Sequence, residues 1–445
     1  MSEPIRLSDH FTYGRLLRFT LPSIVMMVFS SVYGVVDGLF VSNFAGKTPF
    51  AAVNLIMPFL MIISTVGFMF GTGGSALIAK TLGEGDRERA DQIFSMLIYT
   101  TVALGAALTL FGELLLRPVA QWMGADGELL ECCVRYGRIC TLGVIPYSFQ
   151  MEFQSLMPTA EKPHLGLAFT VAGGVTNMAL DALFIGLLGW ELTGAALASV
   201  AGMIVGGLGP LIYFFLPNTS LLRAGRPWFS GRALLRICTN GCSELMSNIS
   251  MSLVSALYNA QLLKYAGEDG VAAYGVLMYV SMIFLAIFIG YAMGVAPVVG
   301  FHFGADNTNE LRSLLRRSAV IILGCSGLMV LFALVMARPL SSVFTGYDET
   351  LYALTVRGFH IYAFSFLFSG VAIFGSSFFT ALNNGPVSAL ISFLRTIVFQ
   401  VAFVLLLPLV LGIDGIWYSM VAAELCAALL AVGCLAVNRN KYHYL

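Results

Sequence analysis

Charge is what this sequence has least of. Only 11% of its 445 residues are Asp, Glu, Lys or Arg, against 58% that are hydrophobic, whereas a soluble domain carries roughly 25% charged residues. Such a chain reads as a polytopic membrane protein. Its 24 basic and 24 acidic residues cancel, and without a basic excess to neutralise phosphates no nucleic-acid partner is expected. Cysteine is equally uninformative. Cys132 and Cys133 adjoin, Cys238 and Cys242 share a helix, and Cys140, Cys325, Cys426 and Cys434 lie in apolar runs. No disulfide or metal spacing results, and all of them read as packing. The five histidines are scattered. The run GSALIAKT (74–81) falls one glycine short of a phosphate-binding loop and follows a helix rather than a strand. No DxxD-type pair stands ready for Mg²⁺. Neither an enzymatic activity nor a cofactor is therefore expected. Met1–Thr12 is polar, and the apolar run from Leu16 is too long for the core of a signal peptide.

What the chain does have is long apolar runs. About 20 apolar residues span a bilayer, and about twelve such spans can be laid down. They fall near 16–41, 51–80, 93–116, 132–156, 164–188, 192–216, 234–263, 272–300, 315–337, 355–381, 387–411 and 413–436. The longest polar linker divides them evenly, giving a lobe at 1–216, a linker at 217–232 and a second lobe at 233–445. Basic residues concentrate on the inner side of a membrane. Arg6, Arg15, Arg18, Lys80, Arg87, Arg223, Arg232, Arg312, Arg316 and Arg439 would share the side of both termini, with Lys47, Arg117, Lys264 and Arg338 opposite. Both termini are thus expected in the cytoplasm.

The two lobes are related. A shift of 221 lays Gly46 on Gly267, Ala51-Ala52 on Ala272-Ala273, Gly73 on Gly294 and Gly83 on Gly304. The same shift matches Arg117-Pro118 to Arg338-Pro339, Gly137 to Gly358, Thr159-Ala160 to Thr380-Ala381 and Gly194 to Gly415. Six helices per repeat is an even number, so the repeats run parallel about an axis along the membrane normal. Repeats of this kind rock against each other around a central path. The expected fold is all-α, with about twelve transmembrane helices in two pseudo-symmetric six-helix bundles around a central cavity.

Against this apolar background a few polar residues stand out. Asn177 and Asp181 are four apart in TVAGGVTNMALDALFI (170–185), so a helix stacks them on one face. Asp37 lies in the equally apolar SVYGVVDGLFV. A carboxylate in mid-membrane costs at least about 2.5–3.5 kcal/mol and normally faces a cavity or an ion path. At about 1.5 Å of rise per residue, Asp37, Asn177, Asp181, Ser199 and Tyr136 all fall in the outer half of the first lobe. Two carboxylates close together in low dielectric cannot both ionise cheaply. Such a pair suits uptake and release of a proton, or of Na⁺ held by Asp37, Asn177 and Asp181. The repeat sharpens this reading, because Asp37 maps to Tyr258 and, allowing for two extra residues near Asn383-Asn384, Asn177 maps to about Gln400 and Asp181 to about Val404. A residue needed only by the scaffold would recur in both lobes.

The second lobe has its own charges. Glu244, Arg395 and Glu424 lie at comparable mid-membrane depth, either as a neutralising contact between helices or as a polar wall for a cationic substrate. Tyr33, Phe149, Met178, Tyr274 and Met278 are candidates to line a cavity for apolar ligands.

The motifs also resemble a family. GTGGSALIAKTLGEGDRERA (71–90) and its echo MGVAPVVGFHFGADNTNELR (293–312) look like the second- and eighth-helix signature of multidrug and toxic compound extrusion (MATE) transporters. VVDGLFVSNFAG (35–46), NMALDALFIGLLGWELTGAALAS (177–199) and LRTIVFQVAFVLLLPLVLGIDGIWYSMVAAE (394–424) fit the same family, closest to its DinF-like and Mep-type bacterial branch. The resemblance implies an antiporter in the bacterial inner membrane, monomeric and surrounded by lipid. It would exchange H⁺ or Na⁺ for cationic, amphipathic small molecules. It also implies that the first-helix aspartate, Asp37, and the fifth-helix Asn-x-x-x-Asp pair, Asn177 and Asp181, carry the coupling ion. Some members of the family place a carboxylate in the tenth helix, and RGFHIYAFSFLFSGVAIFGSSFFTAL (357–382) has none. A related flippase for lipid-linked sugars is the alternative, although it would need several cationic groups in its cavity and only Arg395 lies deep in a span.

Overall fold

The computed structural model describes residues 5–44, 47–345 and 348–444. Its helices are α1 (Tyr13–Phe44), α2 (Lys47–Ser64), α3 (Val66–Gly83), α4 (Arg87–Trp122), α5 (Gly127–Leu142), α6 (Val144–Thr159), α7 (Pro163–Asp181) and α8 (Glu191–Phe215). There follow α9 (Gly231–Gly304), α10 (Thr308–Thr345), α11 (Glu349–Tyr362), α12 (Ser365–Ala381), α13 (Gly385–Phe393), α14 (Gln400–Leu411) and α15 (Ile413–Tyr442). Two π-helical turns interrupt the pattern, Ala182–Leu187 after α7 and Leu394–Phe399 between α13 and α14.

Nine helices among the described residues are long and apolar enough to cross a membrane. One of them, α9, runs for 74 residues and breaks at Gly267, whose φ of 63° ends one helix and starts the next, so it supplies two crossings. The pair α11–α12 is bent by 47° and forms another. The more polar pair α5–α6 completes the expected twelve. It extends the 132–156 span to 127–159 because α6 keeps its polar side chains inside the bundle, where hydropathy does not see them. Elsewhere in the spans, hydroxyls are satisfied locally. Thr20, Thr72, Thr81 and Ser281 each donate to the carbonyl four residues back. Helix starts outside the spans are capped in the usual way, as where Asp86 accepts from Arg89 N–H at 3.0 Å.

The first and second six crossings meet over the half of the bundle nearer the two termini, and glycine makes the meeting possible. A Cβ on Gly83 would overlap the carbonyl oxygen of Phe301, and one on Gly304 would overlap that of Lys80. The 221-residue shift converts Lys80 into Phe301 and Gly83 into Gly304, so this contact is pseudo-symmetric. Gly73 packs on Ile237, Gly241 on Met69, Gly290 on Ile24 and Gly294 on Thr20 in the same zone. Asn383 Nδ2 adds a 3.0 Å hydrogen bond to the Ala76 carbonyl. Backbones this close leave no room for a passage at that end.

The segment before α1 crosses the same end. Leu7 and Phe11 are fully buried against the C-terminal half. Leu7 N–H donates to Glu161 Oε1 at 2.7 Å, and Phe11 N–H donates to Glu310 Oε1 at 2.9 Å. Burial raises the Glu161 carboxyl above its ordinary value, against the lowering by the Leu7 N–H and Arg6. A carboxyl that holds its proton more tightly when folded gives stability that is full below about pH 4.3. That stability fades as pH rises through the folded value. In thermal-shift titrations the wild type should lose stability relative to Glu161→Gln on going upward from pH 4, with no such slope in the variant.

Candidate ion and substrate sites

Four helices bring the coupling candidates together. Asp37 comes from α1, Asn177 and Asp181 come from α7, and Tyr136 comes from α5. Asn177 is 3% exposed, Asp181 0% and Tyr136 2%, while Asp37 is half-buried. The Asp37 carboxyl lies next to the Asp181 carboxyl and the Asn177 amide. Tyr136 lies within electrostatic reach of both aspartates and of the Cys140 thiol one turn along α5. Ser199 of α8 accepts from Asn177 Nδ2 at a long 3.5 Å. All five residues expected from the sequence therefore share one site.

Local packing explains how α7 and α8 come close enough. Gly202 sits on Asn177 Cβ and on the Gly173 carbonyl, where an added Cβ would approach to 2.9 and 2.8 Å. Asp181 also stands at the entry to the Ala182–Leu187 π-turn, and such turns often mark functional positions in helices.

The chemistry follows from what these groups lack. Asp37 Oδ1, both Asp181 carboxyl oxygens and Asn177 Oδ1 are buried without a hydrogen-bond partner among the described residues. Buried polar atoms are nearly always paired. Acceptors grouped in this way are satisfied by one addition, a proton or a small cation coordinated by oxygen. No group of three or more His, Cys, Asp or Glu side chains is placed to hold a metal ion among the described residues.

In the C-terminal half, Arg395 Nε donates to both Glu424 carboxyl oxygens, at 3.1 and 2.9 Å. Glu244 stays outside that pair, half-buried on α9 but within electrostatic reach of Arg395. The neutralising contact between helices is thus formed by Arg395 and Glu424. Two of the expected cavity residues are displaced. Phe149 is fully buried and stacks on Phe153 at 5.8 Å in the core between α4 and α6. Tyr274, 7% exposed, stacks on Tyr258 at 5.3 Å. Each is drawn inward by an aromatic neighbour, Phe149 by one a turn along the same helix and Tyr274 by one across the Gly267 break of α9. Tyr33, Met178 and Met278 remain half-buried.

One buried acid escaped the sequence reading. Glu152 on α6 is 0% exposed, accepts from Thr101 Oγ1 at 2.7 Å, and leaves Oε1 unpaired among the described residues. Its neighbours Gln150 and Gln154 are buried too, and Gln150 bonds Tyr33, one turn below Asp37. The signal was the polar alternation of FQMEFQ (149–154) inside an apolar span.

Comparison with known proteins agrees with the fold. The Staphylococcus saprophyticus multidrug export protein MepA is 22% identical over 430 residues, covering 96% of this chain and 94% of that protein. The solved outward-facing conformation of a multidrug resistance MATE family transporter of the MOP superfamily superposes with a TM-score of 0.93 at 23% identity, over 100% of this chain and 99% of that one. A crystal structure of MATE in complex with MaL6 gives 0.93 at 23% identity over the whole of both chains. The MatE family model matches twice, over residues 22–183 and 245–406, so each half of the molecule carries one copy. The chain belongs to the MatE family.

Proposed function

We propose that the protein is a secondary active exporter that expels cationic, amphipathic small molecules in exchange for H⁺ or Na⁺. The observation that carries this reading is the group of unpaired oxygens on Asp37, Asn177 and Asp181, a site that wants one positive charge. The family membership and the MepA relative, whose name is multidrug export protein, supply the cargo class. Basic residues crowd the end that holds both termini, which by the positive-inside tendency makes that end cytoplasmic. The glycine contacts then close the cytoplasmic side, and the state is outward-facing. In this scheme the lobes 1–216 and 233–445 move about the linker 217–232, in a monomer embedded in lipid, with no resident cofactor and no catalytic step. An ion arriving from outside competes with the bound molecule and shifts the population toward its release. The flippase reading is not favoured, because Arg395 is alone at depth and tied to Glu424, too little positive charge for a pyrophosphate.

Accumulation of a fluorescent cationic dye inside inverted vesicles, the direction of export in that orientation, tests the proposal, with a proton gradient alone and then a sodium gradient alone. Export should follow one gradient and identify the ion. Absence of export under both would overturn the reading.

A further inference from the structure

We propose that the stretch joining the two halves, from Arg226 into the first turns of α9, is a binding site for the headgroups of anionic phospholipids. It would take them from the leaflet at the terminus-bearing end, whatever molecule the carrier exports.

Charge is one-sided in this stretch. Between Glu191 and Glu244 the chain has no acidic residue, and its basic residues there, Arg223, Arg226, Arg232 and Arg236, all fall within 223–236. Other bases at this end stand beside acids. Lys80 pairs with Glu84 at 3.4 Å, and Asp91 lies within electrostatic reach of both Arg87 and Arg223. Asp91 is also engaged by the backbone, because its Oδ1 accepts the Arg223 N–H at 2.9 Å. Arg226, Arg232 and Arg236 are exposed, and none of them forms an ion pair among the described residues. The positive-inside tendency asks for basic residues at this end. It does not ask for them to be gathered without an acid.

Depth and shape point the same way. The backbone of the linker is pinned along α4. Gly225 N–H donates to Ser95 Oγ at 2.9 Å, and Ser230 N–H approaches the Met96 sulfur at 3.5 Å. The apolar run of α4 starts near residue 93, so these contacts hold the linker at the edge of the hydrocarbon. Leu222, Ala224, Leu234 and Ile237 turn inward and pack in the core of the N-terminal half. The outward face carries Trp228, 49% exposed, with Phe229 and Leu235, each 66% exposed. Arg232 and Arg236 are four apart on α9 and lie side by side among them. Water disfavours three large apolar side chains on one face, and hydrocarbon disfavours arginine. The headgroup layer accommodates both.

The charge balance selects the lipid. A zwitterionic headgroup brings its own cation and leaves the arginines uncompensated. An anionic one compensates them, through the paired N–H donors that guanidinium offers to phosphate, and basic stretches next to a membrane span are drawn to such lipids. Arg226 belongs to the segment pinned on α4, and Arg232 belongs to α9. A headgroup held by both would brace the joint between the halves.

Trp228 reports on its own surroundings. The full-length protein would be reconstituted in mixed phosphatidylcholine and phosphatidylglycerol bilayers in which one lipid or the other carries brominated, fluorescence-quenching chains. Subtracting the signal of Trp228→Phe isolates the quenching at this position. Phosphatidylglycerol should be preferred there by about fivefold or more, less so as salt is raised. Arg226→Gln/Arg232→Gln should bring the two lipids within about twofold of each other, whereas Arg226→Lys/Arg232→Lys, which keeps the charge, should retain most of the preference. Arg439→Gln/Lys441→Gln removes two charges from the same end of the molecule and should leave the preference unchanged. Equal quenching by both lipids in the wild type would overturn the assignment and leave the arginines to a soluble acidic partner. Equal loss of preference in the two glutamine variants would overturn it too, by reducing the effect to overall charge. Neither result touches the export function, which the dye gradients test.

Discussion

Asp37→Asn and Asp181→Asn are each expected to reduce ion-driven dye export by about 10–100-fold, the range of a typical coupling free energy, while the protein still reaches the membrane and still binds dye. To carry a two-state transporter from about 1:99 to about 99:1, an ion must bind one state ~10⁴-fold more tightly than the other. In this chain that discrimination has few places to reside. Asp37 Oδ1 and both Asp181 oxygens are buried and unpaired, and an amide in either position removes the negative charge while keeping the volume. Because the carboxyls adjoin, they act as one unit. The double variant should be scarcely worse than either single one, as expected of groups in contact. Tyr136→Phe should cost less, because it removes one hydroxyl and no charge. Normal export by both aspartate variants would place coupling elsewhere, with Glu244 and Glu424 next in line.

That this site was legible in the sequence has a simple cause. Membrane spans are so apolar that an aspartate in one must be explained, and the repeat supplied an internal control, since Asp37 stands opposite Tyr258. Helical spacing was enough to place Asn177 above Asp181. Tyr136 and Ser199 were reachable through depth alone. The twelve crossings and the division into halves were equally open to reading, because both follow from hydrophobic length and one fixed offset. Side-chain direction was not. Phe149 and Phe153 sit one turn apart and stack on each other, which sends Phe149 into the core, and nothing in the order of residues says which face of α6 meets the cavity. Glu152 was hidden for the same reason, since its partner Thr101 is 51 residues away on another helix. The π-turns also have no local sequence mark. They arise where a helix gives way to its neighbours, next to Asp181 in one half and around Arg395 in the other.

Gly83→Ala and Gly304→Ala should be nearly as damaging as loss of an aspartate, by a different route. An alanine Cβ at either position would overlap a backbone carbonyl oxygen, of Phe301 in the first case and Lys80 in the second. Backbone cannot step aside by changing rotamer, so the two helices must separate. Overpacking of this kind costs about 1–3 kcal/mol, a factor of roughly 5–150 in an equilibrium. Because the contact joins the two halves, the cost falls on the state in which they are closed at the terminus-bearing end and spares the state in which they are parted there. Dye export should drop by about that factor, and cysteines placed near Lys80 should react faster with a reagent supplied from the terminus-bearing side. Gly83 and Gly304 oppose each other across one contact. Once either has forced the helices apart, the second substitution meets open space, so the double variant should match the singles. Gly433→Ala makes the control, since a Cβ there meets nothing within 4 Å. If Gly83→Ala exported dye as well as Gly433→Ala, closure at that end could not depend on the glycine contact, and the passage would have to be shut by the segment around Leu7 and Phe11 instead.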